Sequence, residues 1–350
     1  MSFGLLFFLS SGLFLGWSLG VNDAANIFGT AVGTRMVKFR TAAIISSVFV
    51  ILGAVISGAG TSETLEKLGS VNALAGAFMV AFCAAISIWA VSRNGLTVST
   101  SQAIIGSIVG WNIYSGKSTD ISLLSQIVMT WVLCPILAAV IAVVLYCMLK
   151  CFLNHAHIHL IRQDCYTRIG LILIGALGAY ALGANNIANV IGVFVKDNPF
   201  RAINTAYFDV SSLQVLLFIG ALSIAVGIFT YSHKTMMTVG NSLMQMSPLM
   251  ALVVVLANSI VLLLFSSKGL NVWLDAHGLP QIPLVPISST QAVIGAIIGI
   301  GIYRGGRGIH WKIVGKIALG WAVAPLMALV LCFICLFFLE NVFNQTVYLP

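Results

Sequence analysis

Charge is what this chain has least of: Asp, Glu, Lys and Arg make up 7% of its 350 residues, where soluble domains carry about 25%. With so few charges and 59% hydrophobic residues, a single soluble core could not use the apolar surface available. A soluble enzyme, a disordered regulator and a secreted disulfide scaffold are thereby excluded, and a mean hydropathy of +1.05 places the protein in a membrane. Acidic residues are the scarcer charge, nine against seventeen Lys and Arg, giving +8 and a pI near 9.2. In a soluble chain this imbalance would suggest nucleic acid. In a polytopic one, basic loops orient the helices, so the excess reflects topology and no nucleic-acid partner is expected.

Other features are missing too. Cys332-x-x-Cys335 has no second cysteine pair, and most of the seven cysteines lie in apolar runs, so they read as small buried hydrophobes. The first twenty residues have no basic n-region and run directly into a polar motif, which suits a retained spanning segment. An acid–base pair is also lacking at membrane depth, where Asp23 is the one acidic residue and the six histidines fall in loops. That leaves an intramembrane enzyme without its usual chemistry.

What is present is length of apolar chain. A span needs about 20 apolar residues, and ten segments offer it: 3–33, 41–58, 71–92, 97–114, 121–149, 168–195, 212–231, 248–267, 283–303 and 312–339. They predict a first transmembrane repeat over 1–149, a cytoplasmic linker over 150–167 holding His155, His157 and His159, and a second repeat over 168–350. Threading all ten with the N-terminus outside puts Arg35, Lys38, Arg40, Lys150, Arg304, Arg307 and Lys312 in the cytoplasm. The positive-inside rule therefore favours both termini outside, in a plasma membrane such as the bacterial inner membrane. Any re-entrant segment would need a second one to keep that parity.

Two motifs are duplicated in order. Gly20-Val-Asn-Asp-Ala-Ala-Asn26 returns 163 residues later as Gly183-Ala-Asn-Asn-Ile-Ala-Asn189. Ser99-Thr-Ser-Gln-Ala-Ile-Ile-Gly106 returns 189 residues later as Ser288-Ser-Thr-Gln-Ala-Val-Ile-Gly295. Trp131-x-x-x-Pro135 and Trp321-x-x-x-Pro325 follow in register, 190 apart. The 26 extra residues of the second half are expected around 196–211 and 232–247. Five crossings per half would send the second copy through the membrane from the opposite side. The fold class predicted is thus an all-α polytopic membrane protein of two inverted-topology repeats, with broken or re-entrant helices meeting near the bilayer midplane, as in many secondary transporters. Gly20, Gly29, Gly33, Gly95, Gly183, Gly192 and Pro286 supply the breaks. A continuous pore fits these duplicated breaks less well than a gated central site.

The chemistry lies in the motifs. A carboxylate at membrane depth is costly unless paired, coordinated or hydrated. Asn22 and Asn26 share a helix face, as do Asn185 and Asn189, while Asn186 stands opposite Asp23 in the repeat. The bland reading of such residues is interhelical hydrogen-bond glue, but duplication with a carboxylate in one copy favours a site. Ser99, Thr100, Ser101 and Gln102, like Ser288, Ser289, Thr290 and Gln291, precede apolar runs and read as helix N-caps. Beyond capping, such helix starts attract anions. Two of them could clasp a tetrahedral oxyanion with neutral donors and a co-bound cation. Sodium suits Asp23, Asn26, Asn186 and Asn189 as hard oxygen ligands, and no other cofactor is expected.

At these residues the sequence resembles the inorganic phosphate transporter (PiT) family, whose paired signatures are of the Gly-Ala-Asn-Asp-x-Ala-Asn type. The likeness runs from residue 20 to the Trp/Pro echo near 325. It implies an inverted-repeat homodimer that imports phosphate with a sodium or proton gradient, sulfate or another oxyanion being the alternative cargo. Two departures stand out. Asn186 replaces a carboxylate that in relatives helps coordinate cations, and Gln102 and Gln291 stand where many members have His.

Overall fold

The computed structural model describes residues 3–69, 71–93, 98–156, 159–198, 200–204, 209–242, 244, 246–306 and 308–349. Gly95, His157 and Arg307 lie outside them. The first half contains α1 (Phe3–Asp23), α2 (Ala25–Gly33), α3 (Phe39–Ser57), α4 (Ala59–Gly69), α5 (Leu74–Arg93), α6 (Thr100–Ser115) and α7 (Ile121–Ala156). The second contains α8 (Leu160–Ile191), a ribbon of β1 (Ile203–Asn204) and β2 (Asp209–Val210), α9 (Ser212–Ser242), α10 (Pro248–Leu264), α11 (Lys268–Ala276), α12 (Ser289–Tyr303) and α13 (Trp311–Asn341). The chain is an all-α polytopic membrane protein.

Six helices among the described residues, α3, α5, α7, α8, α9 and α13, are long and apolar enough to cross a membrane. A seventh span appears if α10 and α11, bent by 64°, count as one. The ten segments expected from hydropathy therefore do not all become single straight crossings. At a rise of about 1.5 Å per residue, helices as short as α6 and α12, with 16 and 15 residues, cover only part of a hydrocarbon layer of about 30 Å. The segment 3–33 is divided at Ala24 into α1 and α2. Residues 279–288, which lead into α12, form neither helix nor strand. Pro280, Pro283 and Pro286 lack the N–H that a helix would need there and bias the preceding residues toward extended backbone. The polar stretch 150–167 is mostly helical, α7 running to Ala156 and α8 starting at Leu160, because it contains no Gly or Pro to stop either helix.

The halves exchange packing partners. α6 lies on α13 and α12 lies on α7, while α1 pairs with α9 and α3 with α8. Gly106 and Gly295 make the first exchange possible, since a Cβ at either would overlap a carbonyl oxygen, of Pro325 and Pro135 respectively. One turn on, Gly110 meets Leu329 and Gly299 meets Ala139. In both pairs the contact advances by four residues on each helix, so the two short helices run parallel to their long partners. Pro135 and Pro325, mid-helix in α7 and α13, are thus the points against which the short helices rest.

This correspondence relocates part of the extra length. The starts of α3 and α9 are 173 residues apart, those of α5 and α10 are 174, and those of α6 and α12 are 189. The first insertion precedes α9, at the β-ribbon, as expected. The second does not fall at 232–247, where the end of α9 takes up the length that α4 occupies in the first half. It lies between α10 and α12, as α11 and the irregular 279–288 segment.

Candidate functional site

Fully buried polar residues gather where α2, α8 and the starts of α6 and α12 converge. Phe28 packs on Gly175, and a Cβ on Gly178 would reach Ile27, so α2 runs antiparallel to α8. This brings equivalent motif residues together: Asn186 Nδ2 donates to Asp23 Oδ2 at 3.0 Å. Ser289 Oγ donates to the same carboxylate oxygen at 3.1 Å. Among the described residues no lysine or arginine takes part in this cluster.

Each first-motif asparagine then reaches the second motif of the opposite half. Asn26 Nδ2 donates to Ser289 Oγ at 3.0 Å and to Thr290 Oγ1 at 3.2 Å. Its counterpart Asn189 donates to Ser101 Oγ at 2.9 Å. Thr290 and Ser101 are themselves equivalent, so the two arms of the network correspond. Ser101 Oγ passes its own hydrogen to the Ile287 carbonyl at 3.1 Å.

The helix starts form as N-caps. Ser99 Oγ accepts from Gln102 N at 3.3 Å, and Ser288 Oγ accepts from Gln291 N at 3.2 Å. Each removes one of the first-turn N–H groups from the unpaired set and leaves others directed out of the helix end. Thr100, the first residue of α6, is buried beside them.

The structure does not gather every expected residue equally. Asn22 is half-buried and donates to the Ser18 carbonyl within its own helix, away from the cluster. Asn185 is buried but grips backbone. Its Oδ1 accepts from Ile287 N at 2.9 Å and its Nδ2 donates to the Val285 carbonyl at 3.3 Å, which holds the irregular segment against α8. Asn271 does the same outside the cluster, accepting from Ile282 N and donating to the Ile282 carbonyl. Asn271 and the Ile287 carbonyl went unrecognised from sequence. Their signal was the three-residue spacing of Pro280, Pro283 and Pro286, which marks a segment whose backbone must be tethered by side chains.

Four oxygens of the motifs are buried without a hydrogen-bond partner among the described residues: Oδ1 of Asn186, Oδ1 of Asn189, and Oε1 of Gln102 and Gln291. A buried polar atom left unpaired costs about 1–3 kcal/mol, and four of the eleven such atoms among the described residues belong to the two motifs. Asn186 and Asn189 oxygens, with Asp23, are hard neutral or anionic donors of the kind an alkali cation accepts. Among the described residues no group of three or more His, Cys, Asp or Glu could hold a metal ion.

Part-length helices meeting around a buried polar cluster, inside an apolar bundle, define the class: a membrane transporter, not an enzyme. The comparisons with known proteins agree. The model of the phosphate transporter family matches residues 19–272 and 283–349, and the chain belongs to that family. The unmatched residues 273–282 lie in the insertion between α10 and α12. A candidate phosphate permease of Methanocaldococcus jannaschii is 26% identical, covering 90% of this chain and 91% of its own length. One from Pyrococcus furiosus is 28% identical, covering 91% and 92%. One from Haemophilus influenzae is 23% identical, covering 95% and 96%. Among solved structures, a sodium-dependent phosphate transporter superposes with a TM-score of 0.73 at 19% identity, over 95% of this chain and 99% of that one, and so shares the fold.

Proposed function

We propose that this protein imports inorganic phosphate in symport with sodium, the cation held around Asp23 and the anion between the starts of α6 and α12. The observation that carries the reading is the set of unpaired oxygens beside a buried carboxylate that has no basic partner. A carboxylate that stays ionised in such a place needs a cation from outside the chain, and sodium bound with Asp23, Asn186 and Asn189 would supply it. The relatives and the solved structure, by name phosphate permeases and a sodium-dependent phosphate transporter, support the same cargo.

Phosphate is favoured over sulfate by the acceptors. Hydrogen phosphate brings an O–H that Gln102 Oε1 or Gln291 Oε1 would accept, whereas sulfate brings none and would leave them unpaired. Asn26, Asn189, Ser101, Ser289 and Thr290 would trade their mutual hydrogen bonds for bonds to the anion. Asn185 would position the irregular segment without touching cargo. The antiparallel run of α2 against α8, with the first motif spanning the α1–α2 break and its counterpart in α8, supports inverted repeats that rock about this centre.

The test is uptake of labelled phosphate into proteoliposomes under a sodium gradient, a proton gradient or neither, with sulfate as competitor. Sodium-driven uptake insensitive to sulfate is the expected result. Uptake driven by protons alone would remove the sodium assignment, and sulfate transport in place of phosphate would overturn the cargo.

A further inference from the structure

Over the second copy of the first motif, two parts of the chain meet as the lips of a seam. One lip is the start of α4, whose Thr61 Oγ1 donates to the Ala184 carbonyl at 3.1 Å, while a Cβ on Gly58 would overlap Ile187. The other is α11 with residues 282–287, which Asn271 ties to each other through Ile282 and Asn185 ties to α8. Ala184, Asn185 and Ile187, on which the lips rest, are fully buried. Ser101 of the cluster donates to the Ile287 carbonyl, so the segment that forms the second lip also borders the cluster.

The lips touch through few groups. The stem of Lys268, the first residue of α11, and Leu284 lie on Gly60 of α4, where a Cβ would stand 2.9 Å from Lys268 Cε and 3.1 Å from Leu284 Cδ1. Lys268 Nζ then lies 3.1 Å from each carboxylate oxygen of Glu63. Among the described residues this is the one polar contact between α4 and the other lip. It joins the first half of the chain to the second, unlike Arg168–Asp164, which is made within α8. The two side chains are 49% and 45% exposed, so the pair stands at the open rim with buried motif residues below. An ion pair this exposed shifts a two-state equilibrium by no more than about fivefold. That is too little to hold a fold together and suits a contact that opens and closes in every cycle.

We infer that the seam is an entrance to the motif cluster and that Glu63–Lys268 is the latch that closes it. The inference rests on the reading of the chain as a transporter whose halves rock about the cluster, and does not depend on which anion is carried. It assigns the closing of one side to two named residues. When the latch opens, α11 and its segment part from α4 at Gly60, where no side chain of α4 interlocks with them.

The test uses the full chain with the exposed Cys151 and Cys165 changed to Ser. In detergent, Val285→Cys places a thiol at a fully buried position of the second lip, and its alkylation by a maleimide reads how often the seam opens. Lys268→Gln or Glu63→Gln should raise the alkylation rate up to about fivefold, and the exchange Glu63→Lys with Lys268→Glu should bring it back. In proteoliposomes, Glu63→Cys with Lys268→Cys is joined by a bifunctional methanethiosulfonate. This should stop uptake of labelled phosphate or sulfate, whichever the parent carries, and reductant should restore it, while the same reagent on either single cysteine leaves uptake running. Alkylation unmoved by the single substitutions, a rate that the exchange does not restore, or uptake that continues through the cross-link would each overturn the latch. A parent that carries neither anion would overturn the transport reading instead, with the alkylation rates still deciding whether the pair closes the seam.

Discussion

Asp23 and Asn186 hold equivalent positions in the two halves and bond to each other, so the pair marks where the halves meet. Removing the charge with Asp23→Asn keeps the shape and the hydrogen bonds but takes away the negative charge that the proposed coupling cation would neutralise. Sodium-driven uptake should fall by at least about two orders of magnitude, the scale of losing one essential charge–cation contact of about 3 kcal/mol, while the purified variant still elutes as folded protein. Asn186→Asp should act in the opposite sense. Two carboxylates about 3 Å apart cannot both ionise without a further cation, so uptake measured against sodium concentration should become steeper. An unchanged slope would show that Asn186 does not border the cation. Ser101→Ala, which leaves the buried amide of Asn189 without its acceptor, should raise the KM for phosphate by about tenfold, and Thr290→Ala by less, because Asn26 Nδ2 keeps Ser289 Oγ as an acceptor. Most of this site was legible in the sequence because the motifs are duplicated and polar in an apolar setting. The side chains' partners were not, since a motif does not reveal that Asn185 turns to backbone and Asn22 to its own helix.

At the scale of helices, the glycines beneath the short helices carry the clearest stability prediction. Gly106→Val or Gly295→Val drives a side chain into the carbonyl of Pro325 or Pro135, which must shift a long helix or lift a short one. Overpacking of this kind costs about 1–3 kcal/mol, read as a lower thermal midpoint in detergent. Gly315→Ala on α13, where a Cβ meets nothing within 4 Å, is the control and should leave the midpoint unchanged or slightly raised. Hydropathy located the long helices well but misjudged the short ones. A window that sums apolarity cannot separate a crossing from an irregular lead into a half-length helix, and 283–303 contains both. It also missed α4, whose Glu63, Glu66 and Lys67 make it too polar to register as a span, although Leu65 and Leu68 are buried against the bundle.

For the molecule as a whole, exchange of partners makes each half incomplete. α6 has its long neighbour in the second half, and α12 has its own in the first. Expressed separately, residues 1–156 and 159–350 should therefore fail to accumulate, because Gly106 and Gly295 would present bare helix faces in place of packed ones. Co-expressed, they should copurify and restore uptake. Recovery of a stable single half would contradict the interdependence. The duplicated sequence made two related halves visible, yet their interleaving was not, since nothing in a repeat says whether its copies stand side by side or cross.

The Asp23–Asn186 contact also bears on what a single chain permits. Were each half a separate polypeptide assembling as a symmetric pair, the residue at this position would face its own copy, and every substitution there would appear twice. A carboxylate would confront a carboxylate, or an amide an amide. Joining the halves in one chain lets the two positions differ, so a single negative charge can sit at this contact where two identical halves could place only two or none.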